Sequence, residues 1–324
     1  MTSIQWTDET WNPVTGCSRV SEGCRHCYIE RTPPFRMAGR KLGDPVQLHP
    51  DRLDQPLHWR KPRRVFVNSL SDLFHEDVPD EFVFKVFRIM ARSQHHTFQV
   101  LTKRPERMRN FCKRIAYIDP GFNGHPFGTC SYWPNDPDKY PIETRPLPNV
   151  HLGVSVEDQQ TADERIPILL QTPAAVRFLS VEPLLGPVQL GCGGEFFDYG
   201  FGRNNDNEPR IHWVIVGGES GPKARPCDVA WIRSIVQQCK AAQVPCFVKQ
   251  LGRYVIDRND AGFDGEMPTN WPMDTDVDDP ENDWSYQAAK IRIRLKDTKG
   301  GDPTEWPEDL RVREWPRSTD VQAG

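Results

Sequence analysis

The chain has 324 residues, 37% hydrophobic and 27% charged, with a formal net charge of −4. That length allows one large domain or two ordinary ones with a sizeable core. No run of about 18 apolar residues exists, so no membrane-spanning helix is expected. The start, MTSIQWTDETW, has neither a charged n-region nor an apolar h-region, so it does not read as a signal peptide. A reducing, cytoplasmic setting is expected, where clustered cysteines more often bind metal than form disulfides. Nine cysteines, an odd number, also argue mildly against a fully paired disulfide framework. Charge is unevenly spread. Residues 257–283 hold ten acids and one base, a net −9, which leaves +5 on the rest of the chain. That remainder, with the run HWRKPRR at 58–64, permits a polyanionic partner without demanding one.

In chain order, a short strand is expected near Ile4–Trp6, followed by the cysteine-rich stretch GCSRVSEGCRHCY. VFVNSLSD from Val65 reads as the first clear buried strand. Next is a helix over Asp80–Gln94, opened by Pro79, with Val83, Phe84, Val86, Phe87 and Met90 on one broad stripe. FQVLTKR from Phe98 is a strand and PERMRNFCKR from Pro105 a helix. Strands follow at VHLGVSVED from Val150, VRFLSVEP from Val176, WVIVGGESG from Trp213 and PCFVKQLG from Pro245, with helices over 161–171 and 228–242. Val, Ile and Phe dominate the strand runs, as expected where both faces are buried. Residues 115–148 and 191–211, rich in Gly, Pro, Asn and Asp, read as long loop insertions.

About six strand–helix alternations predict an α/β fold with a parallel sheet, as a full or partial (β/α) barrel. A doubly wound open sheet uses the same unit and is the competitor. The pattern stops near residue 253, so 1–253 reads as the barrel domain. Residues 254–324 read as an acidic, Trp/Pro-containing extension: a lid, an edge strand at IRIRL from Ile291, or a partly disordered tail. No internal repeat is found.

Chemistry in a parallel barrel sits where strands end, because the βα loops converge there. These ends offer Asn68, Ser69 and Asp72, then Thr102, Lys103 and Arg104, then Ser155 and Glu157. Ser180 and Glu182, then Gly217, Gly218 and Glu219, then Lys249 and Gln250 follow. Each alone reads equally well as a turn or a helix cap. Together they suit a polar ligand with both anionic and cationic groups. Cys17, Cys24 and Cys27 have the spacing C-x6-C-x2-C. Three thiolates leave one iron of a 4Fe-4S cluster, or one position on a zinc, open to an exogenous ligand. A structural zinc site completed by His26, plain core cysteines and redox-active thiols are the competing readings.

The three-cysteine loop after a first strand resembles that of the radical S-adenosylmethionine superfamily. WNPVTGC, SLSDLFHE, LTKRPERM, GVSVED, SVEPLLGP and VGGESG, in that order, resemble one divergent, phage-encoded branch from about residue 4 to residue 252. The superfamily's usual loop is C-x3-C-x2-C with an aromatic residue before the last cysteine. Here the first gap is six and His26 fills the aromatic slot. The resemblance implies that Cys17, Cys24 and Cys27 hold a 4Fe-4S cluster whose open iron chelates S-adenosyl-L-methionine. It offers Ser69, Asp72, Ser155, Glu157, Glu182 and Glu219 as cofactor contacts, with Gly217 and Gly218 against adenine. It also implies an isomerase of phage thymidine hypermodification, a route to evading host restriction, acting in the host cytoplasm. The reaction converts Nα-glycinylthymidine to Cα-glycinylthymidine in DNA. The partners implied are a flipped, modified thymidine and an external electron donor. Lys103, Arg104 and Lys249 are expected to meet the glycine carboxylate, and Arg60–Arg64 the phosphates. A DNA-lesion lyase resembling the spore photoproduct type, a radical enzyme with a small-molecule substrate, and a zinc-stabilised nucleic-acid-binding protein are the alternatives.

Overall fold

A computed structural model of the protein describes residues 4–115, 146–191, 209–257 and 292–316. The predicted insertions 115–148 and 191–211 and the acidic stretch 257–283 therefore lie almost wholly outside the described residues, as do Cys130 and Cys192. The strands in chain order are β1 (Glu9–Trp11), β2 (Val14–Thr15), β3 (Gln47–Leu48), β4 (Arg64–Val67), β5 (Thr97–Thr102) and β6 (Val150–Ser155). They continue with β7 (Val176–Val181), β8 (Trp213–Gly217), β9 (Cys227–Asp228), β10 (Cys246–Gln250), β11 (Val255–Ile256) and β12 (Arg292–Ile293). The helices of a turn or more are α1 (Pro33–Met37), α2 (Asp80–Arg92), α3 (Pro105–Ile115), α4 (Gln159–Leu170) and α5 (Val229–Ala242).

Seven strands form one sheet in the order β1-β4-β5-β6-β7-β8-β10, every neighbouring pair parallel. Spatial order follows chain order without a reversal. A doubly wound sheet reverses at a switch point, so this sheet is the singly wound alternative: a curled, partial (β/α) barrel. Its helix-side residues, such as Val65, Val100, Val154 and Val216, share one core with Val83, Phe87, Met108, Ile166 and Ile232 from the helices. Its inner face carries a second cluster: Trp6, Phe66, Phe178, Trp213, Ile215 and Phe247. Gly153 makes room for this packing, because a Cβ there would stand 2.6 Å from the Phe178 ring. Local signals start the helices where the pattern predicts. Pro79 immediately precedes α2, and Asp158 closes a capping box with Thr161 at α4.

One expectation is corrected. Ile4–Trp6 is not a strand; β1 lies at Glu9–Trp11, and Trp6 is instead a buried inner-face plug. An edge strand of three residues with the sequence ETW has no apolar run to announce it. The basic run 58–64 precedes and opens β4, which puts it at the end of the barrel opposite the strand C-termini. There Arg63 pairs with Glu9 at 3.0 Å and Arg64 with Asp8 at 2.7 Å.

The described part of the tail packs on the barrel. Trp306 and Leu310 enter the main core, and β12 pairs antiparallel with β11. Residues 312–315 then run along the free side of β10. Val248 N–H donates to Val312 O at 2.9 Å and Glu314 N–H to Cys246 O at 2.8 Å. Trp315 reaches the other edge, donating to Trp6 O at 3.4 Å and lying 4.7 Å beneath the Arg64 guanidinium. This strap covers backbone groups that an open sheet edge would expose to another chain.

Candidate functional site

Between β1 and β4 the chain makes a long excursion. β2 pairs antiparallel with β3. Gly16, at φ +103°, turns the chain toward the mouth, and its N–H donates to Leu70 O at 3.1 Å. Two short 3-10 turns follow, Glu22–Cys24 and Tyr28–Arg31, with Cys27 between them. This cysteine loop is fastened to four strand ends. The Tyr28 hydroxyl donates to Ser69 O after β4 at 2.5 Å. Arg104, after β5, donates through Nη2 to Ser18 Oγ at 2.7 Å. Beyond β6, Glu157 lies so close to Gly23 that a Cβ there would stand 2.4 Å from the Glu157 Cγ. Beyond β8, Arg225 donates to Glu22 O at 3.0 Å, and Arg31 donates to Ser220 O at 3.1 Å.

Cys17, Cys24 and Cys27 are free thiols, as are Cys112, Cys227, Cys239 and Cys246. The three in the loop form one electrostatic group: Cys24 acts on both Cys17 and Cys27. Burial pushes the Cys17 thiol up to about 12, with the Asp72 carboxylate adding to the effect and Arg104 opposing it. Burial also raises Cys27, against which Lys103 acts. Deprotonated sulfurs here therefore need positive charge, as a bound metal centre supplies. Among the described residues no three His, Cys, Asp or Glu side chains converge as a single metal ion requires. A zinc with Zn–S bonds of about 2.3 Å needs its sulfurs within ~3.8 Å of one another. A multi-iron cluster takes each thiolate on a different iron, so its ligands stand farther apart. Three thiols on one loop are the donor chemistry of a cluster that keeps one iron open, or of a zinc with an open position. His26 turns aside, its Nδ1 3.5 Å from Glu219.

The structure distributes the strand-end residues unevenly. Asp72 is committed to the protein: it accepts from Phe74 N, Thr102 Oγ1, Lys103 N and Arg104 Nη1 at 2.8–3.1 Å. Ser69 Oγ donates to Asn12 at 3.2 Å. Ser155 is buried, with its carbonyl accepting from Arg165 at 2.9 Å. Glu157 is fully buried between Lys103 at 2.9 Å and Arg165 at 3.0 Å. Burial works to raise its pKa, but those two cations outweigh it and hold the carboxyl below its ordinary value. Glu219 is chelated by Arg225 through three contacts of 2.9 Å. It too is held low against the pull of burial. Gly217 and Gly218 are explained by the neighbouring chain, since a Cβ on either would meet the backbone of Gln250 or Leu251 at 2.9 and 2.2 Å. Glu182 accepts from Lys249 at 2.6 Å, a pair still partly open to solvent.

Lys103 and Arg104 do not stand with Lys249. They lie against the cysteine loop, with Arg104 Nη1 3.8 Å from Cys17 Sγ and Lys103 Nζ 2.9 Å from the Glu157 carboxylate that abuts Gly23. Tyr28, Arg31, Arg165 and Arg225 escaped the sequence reading. Their partners are remote in the chain, and Arg225 follows VGGESG with only a Glu six residues earlier as a signal.

Fold and site define a class: a partial (β/α) barrel with a three-thiol loop fastened across the C-terminal ends of its strands. The chain belongs to the family described as "Protein of unknown function (DUF5131)", which matches residues 1–307. No curated protein and no solved structure matches it. Among the described residues no helix is long and apolar enough to cross a membrane.

Proposed function

We propose that this chain is a radical S-adenosylmethionine enzyme that isomerises a glycinyl-modified thymidine in DNA. The observation that carries the first half is the position of Cys17, Cys24 and Cys27 on one loop tied to the ends of β4, β5, β6 and β8. These three residues would hold a 4Fe-4S cluster at the barrel mouth. Such a cluster, when bound, supplies the electron that splits S-adenosylmethionine to a 5′-deoxyadenosyl radical. The second half, the substrate, rests on the ordered motifs WNPVTGC to VGGESG and their resemblance to the phage branch.

The chain's own residues support this work in three ways. Aromatic side chains at the base of the barrel, from Trp6 to Phe247, close its far end to water. The Arg225–Glu219 and Lys103–Glu157 pairs hold the cysteine loop from two sides. Of the three cations expected at the glycine carboxylate, Lys249 is the one not set against the cysteine loop, and Glu182 holds its ammonium at 2.6 Å.

The test is anaerobic reconstitution with iron and sulfide, then incubation with S-adenosylmethionine, dithionite and glycinylthymidine-containing DNA. Brown protein absorbing near ~400 nm, 5′-deoxyadenosine and a product nucleoside of unchanged mass are expected. A colourless zinc protein refutes the cofactor. A product of altered mass refutes isomerisation and favours the lyase.

A further inference from the structure

Two consecutive residues at the end of β5, Lys103 and Arg104, place positive charge beside the cysteine loop. Arg104 points Nη1 at Cys17 Sγ, 3.8 Å away. Three more of its five N–H donors are engaged: Nη2 donates to Ser18 Oγ at 2.7 Å, Nε to Glu76 at 2.9 Å and Nη1 also to Asp72 at 3.1 Å. Lys103 turns the other way, its Nζ 2.9 Å from the Glu157 carboxylate that abuts Gly23, the residue before Cys24. Its ammonium is fixed by Glu157, which Arg165 anchors in turn. Both cations are therefore immobilised by carboxylates, Arg104 against Cys17 and Lys103 beside the loop at Gly23. A guanidinium with four of its five donors engaged has one left, too few to clamp an incoming substrate carboxylate through two hydrogen bonds. The sequence offered these residues as substrate contacts; the geometry gives them other work.

We infer that Lys103 and Arg104 are positioning residues that set the reduction potential of the centre held by Cys17, Cys24 and Cys27. This inference rests on the proposed iron–sulfur reading. Three buried thiolates make such a centre anionic, and one electron from an external donor makes it more so. Fixed cations at hydrogen-bond and near-contact range favour the reduced, more negative form in a low-dielectric setting. They raise the potential, and so bring the centre within reach of its electron donor. Nothing else moves: one electron enters from the donor, and no bond to Lys103 or Arg104 forms or breaks.

The experiment uses the full chain reconstituted anaerobically with iron and sulfide, as wild type, Arg104→Gln, Arg104→Lys, Lys103→Met and Lys103→Arg. Iron and sulfide content are measured first, then the midpoint potential by dithionite titration followed in the visible and by EPR. Arg104→Gln and Lys103→Met are expected to keep the wild-type iron content and to titrate at more negative potential. Arg104→Lys and Lys103→Arg keep the charge; they guard against misfolding and are expected to shift less. Full iron content with an unmoved midpoint in the charge-removing variants overturns the inference. So does a folded variant that takes up no iron, which assigns the pair to assembly instead. A wild-type chain that binds no iron overturns the proposed function, a failure distinct from either.

Discussion

Glu157→Gln should destabilise the protein by about 3 kcal/mol, at the low end of the ~3–5 kcal/mol typical of breaking a buried ion pair. Glu157 is fully buried and holds two cations, Lys103 at 2.9 Å and Arg165 at 3.0 Å. Glutamine preserves the shape and one acceptor oxygen, so no cavity opens and one hydrogen bond survives. What is lost is the only anion these contacts supply to two largely buried positive charges. Guanidinium unfolding of the metal-free chain under reducing conditions at pH 7 reads the loss as a lower midpoint at constant slope. Asp54→Asn, which touches only the exposed His58 contact, is the control and should cost well under ~1 kcal/mol. The pH dependence gives a second reading. Glu157 has its carboxyl held below the ordinary 4.5, so its stabilisation is fully present above pH 4.5 and is lost as pH falls through the folded value. The gap between wild type and Glu157→Gln should therefore narrow in acid. Because Glu157 also backs Gly23, the variant should expose Cys24 to faster alkylation. A loss below ~1 kcal/mol, equal to the exposed control, would refute the claim that this carboxylate anchors the site.

Other outcomes follow from the same structure. Cys17→Ala, Cys24→Ala and Cys27→Ala should each abolish iron binding, while Cys112→Ala and Cys239→Ala, which alter buried core thiols, should keep it; iron content after reconstitution decides. Gly23→Val should prevent the cysteine loop from seating against Glu157 and lower both stability and iron uptake, measured by unfolding midpoint and iron assay. Removing residues 311–324 should free the β10 edge and expose Trp213 Nε1, which now donates to Glu314 O at 2.8 Å; light scattering should then show concentration-dependent association. Burial lowers His151 from 6.5 to about 4, so the unfolded chain binds the extra proton first and stability falls as pH drops from about 6.5 to about 4; His151→Gln should flatten that part of the unfolding profile.

The sequence by itself determined the strands of the main sheet and the helices from Val65 to Gln250, though not the two-residue strands β9 and β11. Runs such as VFV, FQVL and WVIV are buried on both faces of a parallel sheet, so nearly every position is apolar and the signal survives without context. The cysteine spacing and the polar strand ends were equally legible, since type and order of residues are all they require. Three things were left to the tertiary structure. Strand order is one: a βα unit reads the same in a barrel and in a doubly wound sheet, and only pairing distinguishes them. β1 is another, because a three-residue edge strand is defined by its partner β4 and not by its own composition. The roles of the charged residues are the third. Lys103 and Arg104 look like substrate cations in isolation, and Glu219 like a ligand carboxylate. Their partners, Glu157 for Lys103 and Cys17 for Arg104, are 54 and 87 positions away, while Arg225 lies across a turn from Glu219. A charge acts through distance in space, and chain separation says nothing of that until the barrel has closed the strand ends around one mouth.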